Sequence, residues 1–122
     1  IISIKRTANI NELAKLYSAA DVFVNPTWQD NYPTVNMEAI ACGTPVITYK
    51  TGGSVETITE QTGLIVEQGD IKGIKNGIST IRERGKAFFQ TNCRHYALTH
   101  FKKEERYGEY IELYNSLVKK NI

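Results

Sequence analysis

Two carboxylates, Asp30 and Glu38, are the residues of this 122-residue chain best placed to do chemistry. They close the run Asp30-Asn31-Tyr32-Pro33-Thr34-Val35-Asn36-Met37-Glu38, and Ala39-Ile40-Ala41-Cys42-Gly43 follows, almost entirely apolar. A helix that apolar packs on several sides. A carboxylate inside it loses several kcal/mol of hydration unless something hydrogen-bonds it. Two readings satisfy that need. In the first, the vicinal hydroxyls of a ribose each donate to a carboxylate oxygen of Glu38. The unbonded N–H groups at the helix start, around Thr34 and Val35, then face an anion such as a diphosphate. Asp30, one loop away, accepts from the hydroxyls of a sugar on that diphosphate. In the second reading Glu38 pairs with an interior Lys or Arg, and Asp30 only caps the helix. The spacing of two acids does not choose between them.

The remaining candidates carry less. Gly52 and Gly53 let a backbone approach a ligand closely, or simply form a tight turn with positive φ. Glu56 suits a helix terminus better than a ligand. Trp28 lines a pocket or packs. His95 and His100 lie far along the chain from these loops and read as surface or packing residues. Cys42 and Cys93 lack metal-ligand spacing, so neither a zinc site nor a disulfide framework is expected, and reduced thiols fit a cytosolic protein.

The elements that must position Asp30 and Glu38 follow from the pattern of apolar residues. Short β-branched runs alternate with helical periods. Strands are predicted at Ile1–Ile4, Asp21–Asn25, Pro45–Tyr49 and Leu64–Val66. Between them, Asn11 caps a helix with Leu13, Leu16, Tyr17 and Ala20 on one face. Pro33 opens a second helix that runs to about Cys42 and stops at Gly43. Ser54 caps a short helix through Ile58. Ile71, Ile74, Ile78 and Ile81 mark a helical face ending at Gly85, and Phe89, Cys93 and Tyr96 mark another over about 86–97. A last helix from about Lys103 aligns Tyr107, Tyr110, Ile111, Tyr114 and Leu117. Strands separated by helices imply an α/β parallel sheet with right-handed crossovers. Ligands of such sheets bind beyond the C-terminal strand ends, which is where the 27–32 and 51–53 loops fall.

Composition narrows the partners. The apolar fraction of 41% and charged fraction of 23% are those of an ordinary globular domain. A net charge of +2, with basic clusters no longer than Lys102-Lys103 and Lys119-Lys120, gives no nucleic-acid surface. No run approaches the ~18 apolar residues of a membrane-spanning helix, and nothing near Ile1 reads as a signal peptide. A start at Ile1-Ile2 reads as a chain cut from something longer.

Several motifs, in order, resemble one family. The Asp30…Glu38 stretch resembles the Glu-x7-Glu signature of the retaining GT-B glycosyltransferases, the "glycosyl transferases group 1" family. Tyr17-Ser18-Ala19-Ala20-Asp21-Val22-Phe23-Val24-Asn25-Pro26 resembles the strand leading to it. Glu38-Ala39-Ile40-Ala41-Cys42-Gly43-Thr44-Pro45-Val46-Ile47 is similar to the family's most characteristic helix–strand turn. Gly52-Gly53-Ser54-Val55-Glu56 resembles its Gly-Gly-x-x-Glu, and Thr62-Gly63-Leu64-Ile65-Val66 with Gly69-Asp70 resembles the segment after it. The first signature position departs from the family, with Asp30 for Glu, Asn31 for Gly, and Pro33 where many members have Gly. An Asp-Asn-x-Pro version resembles one branch.

The resemblance implies a Rossmann-like sheet with flanking helices, as part of the C-terminal nucleotide-sugar-binding domain of a GT-B fold. The N-terminal acceptor domain would lie outside residues 1–122. It implies transfer of a sugar from a nucleotide-diphosphate donor, UDP- or GDP-linked, to a glycan or lipid-linked acceptor with retention. No metal and no other cofactor is expected. Glu38 would hold the ribose and Asp30 the sugar, with Asn31, Tyr32, Pro33, Thr34 and Val35 lining the donor and Gly52 and Gly53 nearby. The expected setting is bacterial surface polysaccharide synthesis in the cytoplasm, at the inner membrane face, with peripheral membrane association of the full-length protein. These residues alone would be inactive. The alternatives are a nucleotide-sugar epimerase of the same fold and a non-catalytic nucleotide-sugar-binding module.

Overall fold

A computed structural model describes residues 10–26, 34–50, 58–100 and 111–117. Its elements are helix α1 (Ile10–Ala19), strand β1 (Phe23–Asn25), helix α2 (Thr34–Ala41), strands β2 (Val46–Tyr49) and β3 (Gly63–Val66), and helices α3 (Ile71–Arg84) and α4 (Lys86–His100). Residues 111–117 are also helical.

The strands form one parallel sheet in the order β1-β2-β3. All four residues of β2 are buried, as expected of a central parallel strand that reads as one apolar run. Register puts Val24, Ile47 and Leu64 on one face and Phe23 and Val46 on the other. Helix α3 covers the first face at close range: a Cβ at Gly77 would stand 3.1 Å from Ile47 Cδ1 and 3.4 Å from Leu64 Cδ1. The second face carries α1, whose Tyr17 ring meets Phe23 edge-on at 5.5 Å, and α2.

Helix α2 is the centre of the packing. It touches α1, α4, β1 and β2. Ala39, Ile40, Ala41 and Cys42 are all within 1% of complete burial, so the helix meets protein on every side of its second half. This confirms the inference from its uniform apolarity. It ends where Gly43 adopts φ +76°, the left-handed conformation that a C′ glycine supplies without a Cβ penalty. Tyr114, from the 111–117 helix, closes over that end: a Cβ at Gly43 would stand 2.9 Å from Tyr114 Cζ. The tyrosine stripe is therefore core at Tyr114, which is 5% exposed, while Tyr107 and Tyr110 lie outside the described residues.

Some expectations change. Asn11 does not cap α1, which is already helical at Ile10. Strand β1 is shorter than expected and half-buried: Asp21 and Val22 precede it, and exposed Asp21 pairs with Lys86 at 3.5 Å. The isoleucine stripe of α3 is only partly the buried face. Ile81 is buried and Ile74 half-buried, but Ile71 and Ile78 are exposed. The buried arc is centred on Gly77, and Ile71 and Ile78 sit at its border. A helix of fourteen residues is also about 21 Å long, whereas a four-residue strand covers only about 13 Å, so α3 overhangs the sheet. On α4 the fully buried positions are Phe89, Cys93 and Ala97; Tyr96 is half-buried and stacks on His100 at 4.0 Å. That helix runs on to His100, past the expected end. The predicted strand at Ile1–Ile4 and the short helix from Ser54 fall outside the described residues, as do the start of the last helix and its first residues.

Gly63 shows how tightly β3 is laid on β2. A Cβ there would lie 1.9 Å from the carbonyl oxygen of Val46, a backbone atom that no rotamer change can move. Gly63→Ala should therefore cost about 3 kcal/mol or more of stability, the upper end of overpacking costs, in equilibrium denaturant unfolding. A loss below about 1 kcal/mol would mean that the β2–β3 register is wrong.

Candidate functional site

In a parallel sheet the helix between two strands runs back against them, so its N-terminus opens at the C-terminal strand ends. Helix α2 is that crossover between β1 and β2. Its first N–H groups lack intrahelical acceptors and point to the same edge. Thr34 is its first residue and Val35, in the first turn, keeps 37% of its surface exposed. Glu38 lies four residues in, roughly 6 Å below the helix start at 1.5 Å per residue.

Glu38 is only 2% exposed. Its Oε2 accepts a hydrogen bond from the Tyr17 hydroxyl of α1 at 3.3 Å. That is longer than the ~2.7 Å typical of hydroxyl–oxygen bonds. The buried acid of the sequence is thus buried in fact, and it faces α1 near the opening of the helix.

The strand ends carry a second polar set. Asn25, the last residue of β1, donates through Nδ2 to Asn36 Oδ1 at 2.8 Å, and its carbonyl accepts from the Thr48 hydroxyl of β2 at 3.1 Å. Asn36 and Thr48 are almost completely buried. Losing such a buried partner costs about 1–3 kcal/mol. The network therefore fixes the first turn of α2 to both strands, and so fixes the height and rotation of Glu38. Sequence reasoning did not single out Tyr17, Asn25 or Thr48 as site residues. The available signals were the polar residue ending an apolar strand at Asn25 and the one polar residue among apolar β2 positions at Thr48.

The other site residues named from sequence are not brought together by the described structure. Asp30, Asn31, Tyr32 and Pro33 lie outside the described residues, between Pro26 and Thr34. Gly52 and Gly53, with Glu56, also lie outside them, directly after β2. The described residues next to these two stretches, Asn25 and Thr34 for the first and Tyr49 for the second, lie at the C-terminal edge of the sheet. His95 and His100 are exposed on α4, away from that edge, as surface or packing residues. A cleft of about 440 Å³ lies between β1 and α3 at the opposite edge, lined by Asp21, Val22, Ile78, Ile81, Arg82 and Lys86. It holds a surface ion pair worth little and no buried polar side chain, so it does not rival the Glu38 edge.

A parallel sheet with helices on both faces and a buried acid on the crossover helix defines a Rossmann-like α/β domain. The chain belongs to the glycosyl transferases group 1 family, whose model matches residues 2–84. Its sequence is 35% identical over 74 residues to the capsular polysaccharide biosynthesis glycosyltransferase CapM of Staphylococcus aureus, covering 60% of this chain and 20% of that protein. It is 42% identical over 60 residues to a D-inositol 3-phosphate glycosyltransferase of Arthrobacter sp. (strain FB24), covering 48% of this chain and 14% of that one. Among solved structures it resembles the sucrose-phosphate synthase from Thermosynechococcus elongatus, with TM-score 0.68 and 36% identity over 88% of this chain and 28% of that one. The matches therefore span about a fifth or less of those curated relatives. The expected family and the GT-B-type Rossmann-like fold both hold.

Cys42 sits one helical turn after Glu38, and burial pushes its thiol up to about 12, with the Glu38 charge adding to the effect. Burial likewise pushes Cys93 up to about 12. Both groups are raised above their ordinary value, so the stability that they favour is complete below about pH 9 and falls as the pH rises toward 12. Neither thiol of the native protein should react with a disulfide reagent at pH 8, while the denatured chain should react at both. Rapid native-state labelling of Cys42 would show that α2 is not packed as described.

Proposed function

We propose that these residues form the donor side of a retaining glycosyltransferase that moves a sugar from a nucleoside-diphosphate donor to a hydroxyl acceptor. The observation that carries this reading is Glu38: a carboxylate 2% exposed, in an otherwise apolar helix, just inside an N-terminus that opens at the strand ends. Ribose O2′ and O3′ hydroxyls are donors matched to a carboxylate, which has about four acceptor sites and no proton to give. The N–H groups at the start of α2, at Thr34 and Val35 with Tyr32 before them, approach the diphosphate. Asp30 accepts from the sugar hydroxyls.

In this reaction the anomeric carbon forms a bond to the acceptor oxygen on the same face from which the diphosphate oxygen departs, so its configuration is retained. The acceptor hydroxyl's proton passes to the departing diphosphate, on which negative charge develops as the bond breaks. Fixed N–H dipoles aimed at that oxygen lower the barrier, because they cost no reorganisation as charge develops. In this reading the protein's own dipoles do that work without a metal. UDP- and GDP-sugars are the donors proposed.

The same reading places these residues in a C-terminal nucleotide-sugar domain, with the acceptor held by an N-terminal domain of the full-length protein. Both halves of the cleft are then needed for turnover, and the 122 residues alone transfer nothing. The likeness to CapM favours a glycan or lipid-linked acceptor in bacterial surface polysaccharide synthesis. The proposed place of action is the cytoplasmic face of the membrane, with peripheral attachment. No helix among the described residues is long and apolar enough to cross a membrane.

The test is a thermal-shift screen of the full-length protein against UDP-, GDP- and ADP-sugars, repeated on Glu38→Gln. One donor should raise the melting temperature of the native protein. The variant should bind it roughly 10- to 100-fold more weakly, the worth of hydrogen bonds to a charged group. A donor shift of equal size in the variant would overturn the ribose assignment.

A further inference from the structure

We propose that Tyr17 is a positioning residue for the nucleotide: its hydroxyl holds the Glu38 carboxylate in the orientation that receives the ribose. This rests on the function proposed above.

Tyr17 is fixed at three points by three different parts of the fold. Its backbone carbonyl accepts from the hydroxyl of Thr44, in the turn that joins α2 to β2. Its ring meets Phe23 of β1 edge-on, at 5.5 Å and 86°. Its hydroxyl donates to Glu38 Oε2 at 3.3 Å. The residue is 8% exposed, and Glu38 is 2% exposed. A side chain held in this way cannot swing to follow its partner, so the partner must come to it.

A glutamate needs that constraint. It has three side-chain torsions, and its terminal torsion is broad rather than sharply staggered. A freely rotating carboxylate presents its lone pairs in many directions, and ordering it on binding costs free energy that a fixed one does not lose. Tyr17 takes one of the carboxylate's about four acceptor sites and thereby sets the plane in which the others lie. The tyrosine hydroxyl is a neutral donor, so it orients the carboxylate without cancelling its charge.

Tyr17→Phe removes the hydroxyl and keeps the ring against Phe23, so it separates orientation from packing. The experiment measures affinity for UDP, GDP and ADP by calorimetry on the full-length protein, then takes the tightest binder through four proteins: native, Tyr17→Phe, Glu38→Gln and the double variant. Tyr17→Phe should weaken nucleotide binding roughly three- to tenfold, consistent with one long hydrogen bond to a charged group. The same substitution should have little further effect in the Glu38→Gln background, because the carboxylate that it orients is gone. Unfolding of each protein is measured alongside. If Tyr17→Phe weakens binding equally in both backgrounds, the tyrosine acts through stability or packing and the positioning role is overturned. If Tyr17→Phe binds like the native protein while Glu38→Gln does not, the ribose reading stands and the positioning role fails. If Glu38→Gln itself leaves binding unchanged, the donor-site reading fails, and the positioning role fails with it.

Discussion

The structure turns on one carboxylate held in an apolar helix. Burying Glu38 costs several kcal/mol of hydration, so the fold must supply hydrogen-bond donors or be destabilised by it. The protein does this from several directions. Tyr17 of α1 donates to the carboxylate directly. The Asn25–Asn36–Thr48 set pins the helix that carries it to two strands. Gly43 and Tyr114 close the far end of that helix, so it cannot slide along its axis. An alanine or leucine at position 38 would spare the hydration cost of a carboxylate, though it would remove an acceptor of the buried Tyr17 hydroxyl, and the proposed nucleotide role accounts for the acid that stands there instead.

The remaining elements serve the same position. A central strand buried over its whole length gives α2 a bed of close contact. Helix α3 seals the other face of the sheet, and Gly77 lets it lie close to Ile47 and Leu64. Helix α4 packs on α2, and its Phe89, Cys93 and Ala97 belong to the same buried cluster. Parallel pairing is what joins these packing facts to function, since it fixes which end of α2 opens at the strand tips.

Much of this was legible in the residues. The unbroken apolar run from Ala39 to Cys42 demanded packing on all sides, and Gly43 marked the end of the helix by conformation alone. The β-branched runs located β2 and β3 to within a residue. The misses have physical causes. The isoleucines of α3 form a regular stripe, yet the buried arc centres on Gly77, a residue with no hydrophobic signal, and the helix is longer than the strands beneath it. On α4 Tyr96 is only half-buried, and the third fully buried position is the neighbouring Ala97. The contact between Glu38 and Tyr17 was not legible at all: Tyr17 is 21 positions away in sequence and meets Glu38 only through the fold. The motif order identified the family, whereas two acids at a fixed spacing could not.

The proposed contact between the Glu38 carboxylate and the ribose hydroxyls is open to a coupling measurement in which one partner is altered on each side. Binding of the preferred nucleoside diphosphate and of its 2′,3′-dideoxy analogue is compared on the native full-length protein and on a Glu38→Ala variant. Direct contact predicts that the native protein loses affinity when the hydroxyls are removed, while the variant scarcely distinguishes the two ligands. An equal loss in both proteins would mean that the hydroxyls bind elsewhere and that the buried acid serves the fold alone.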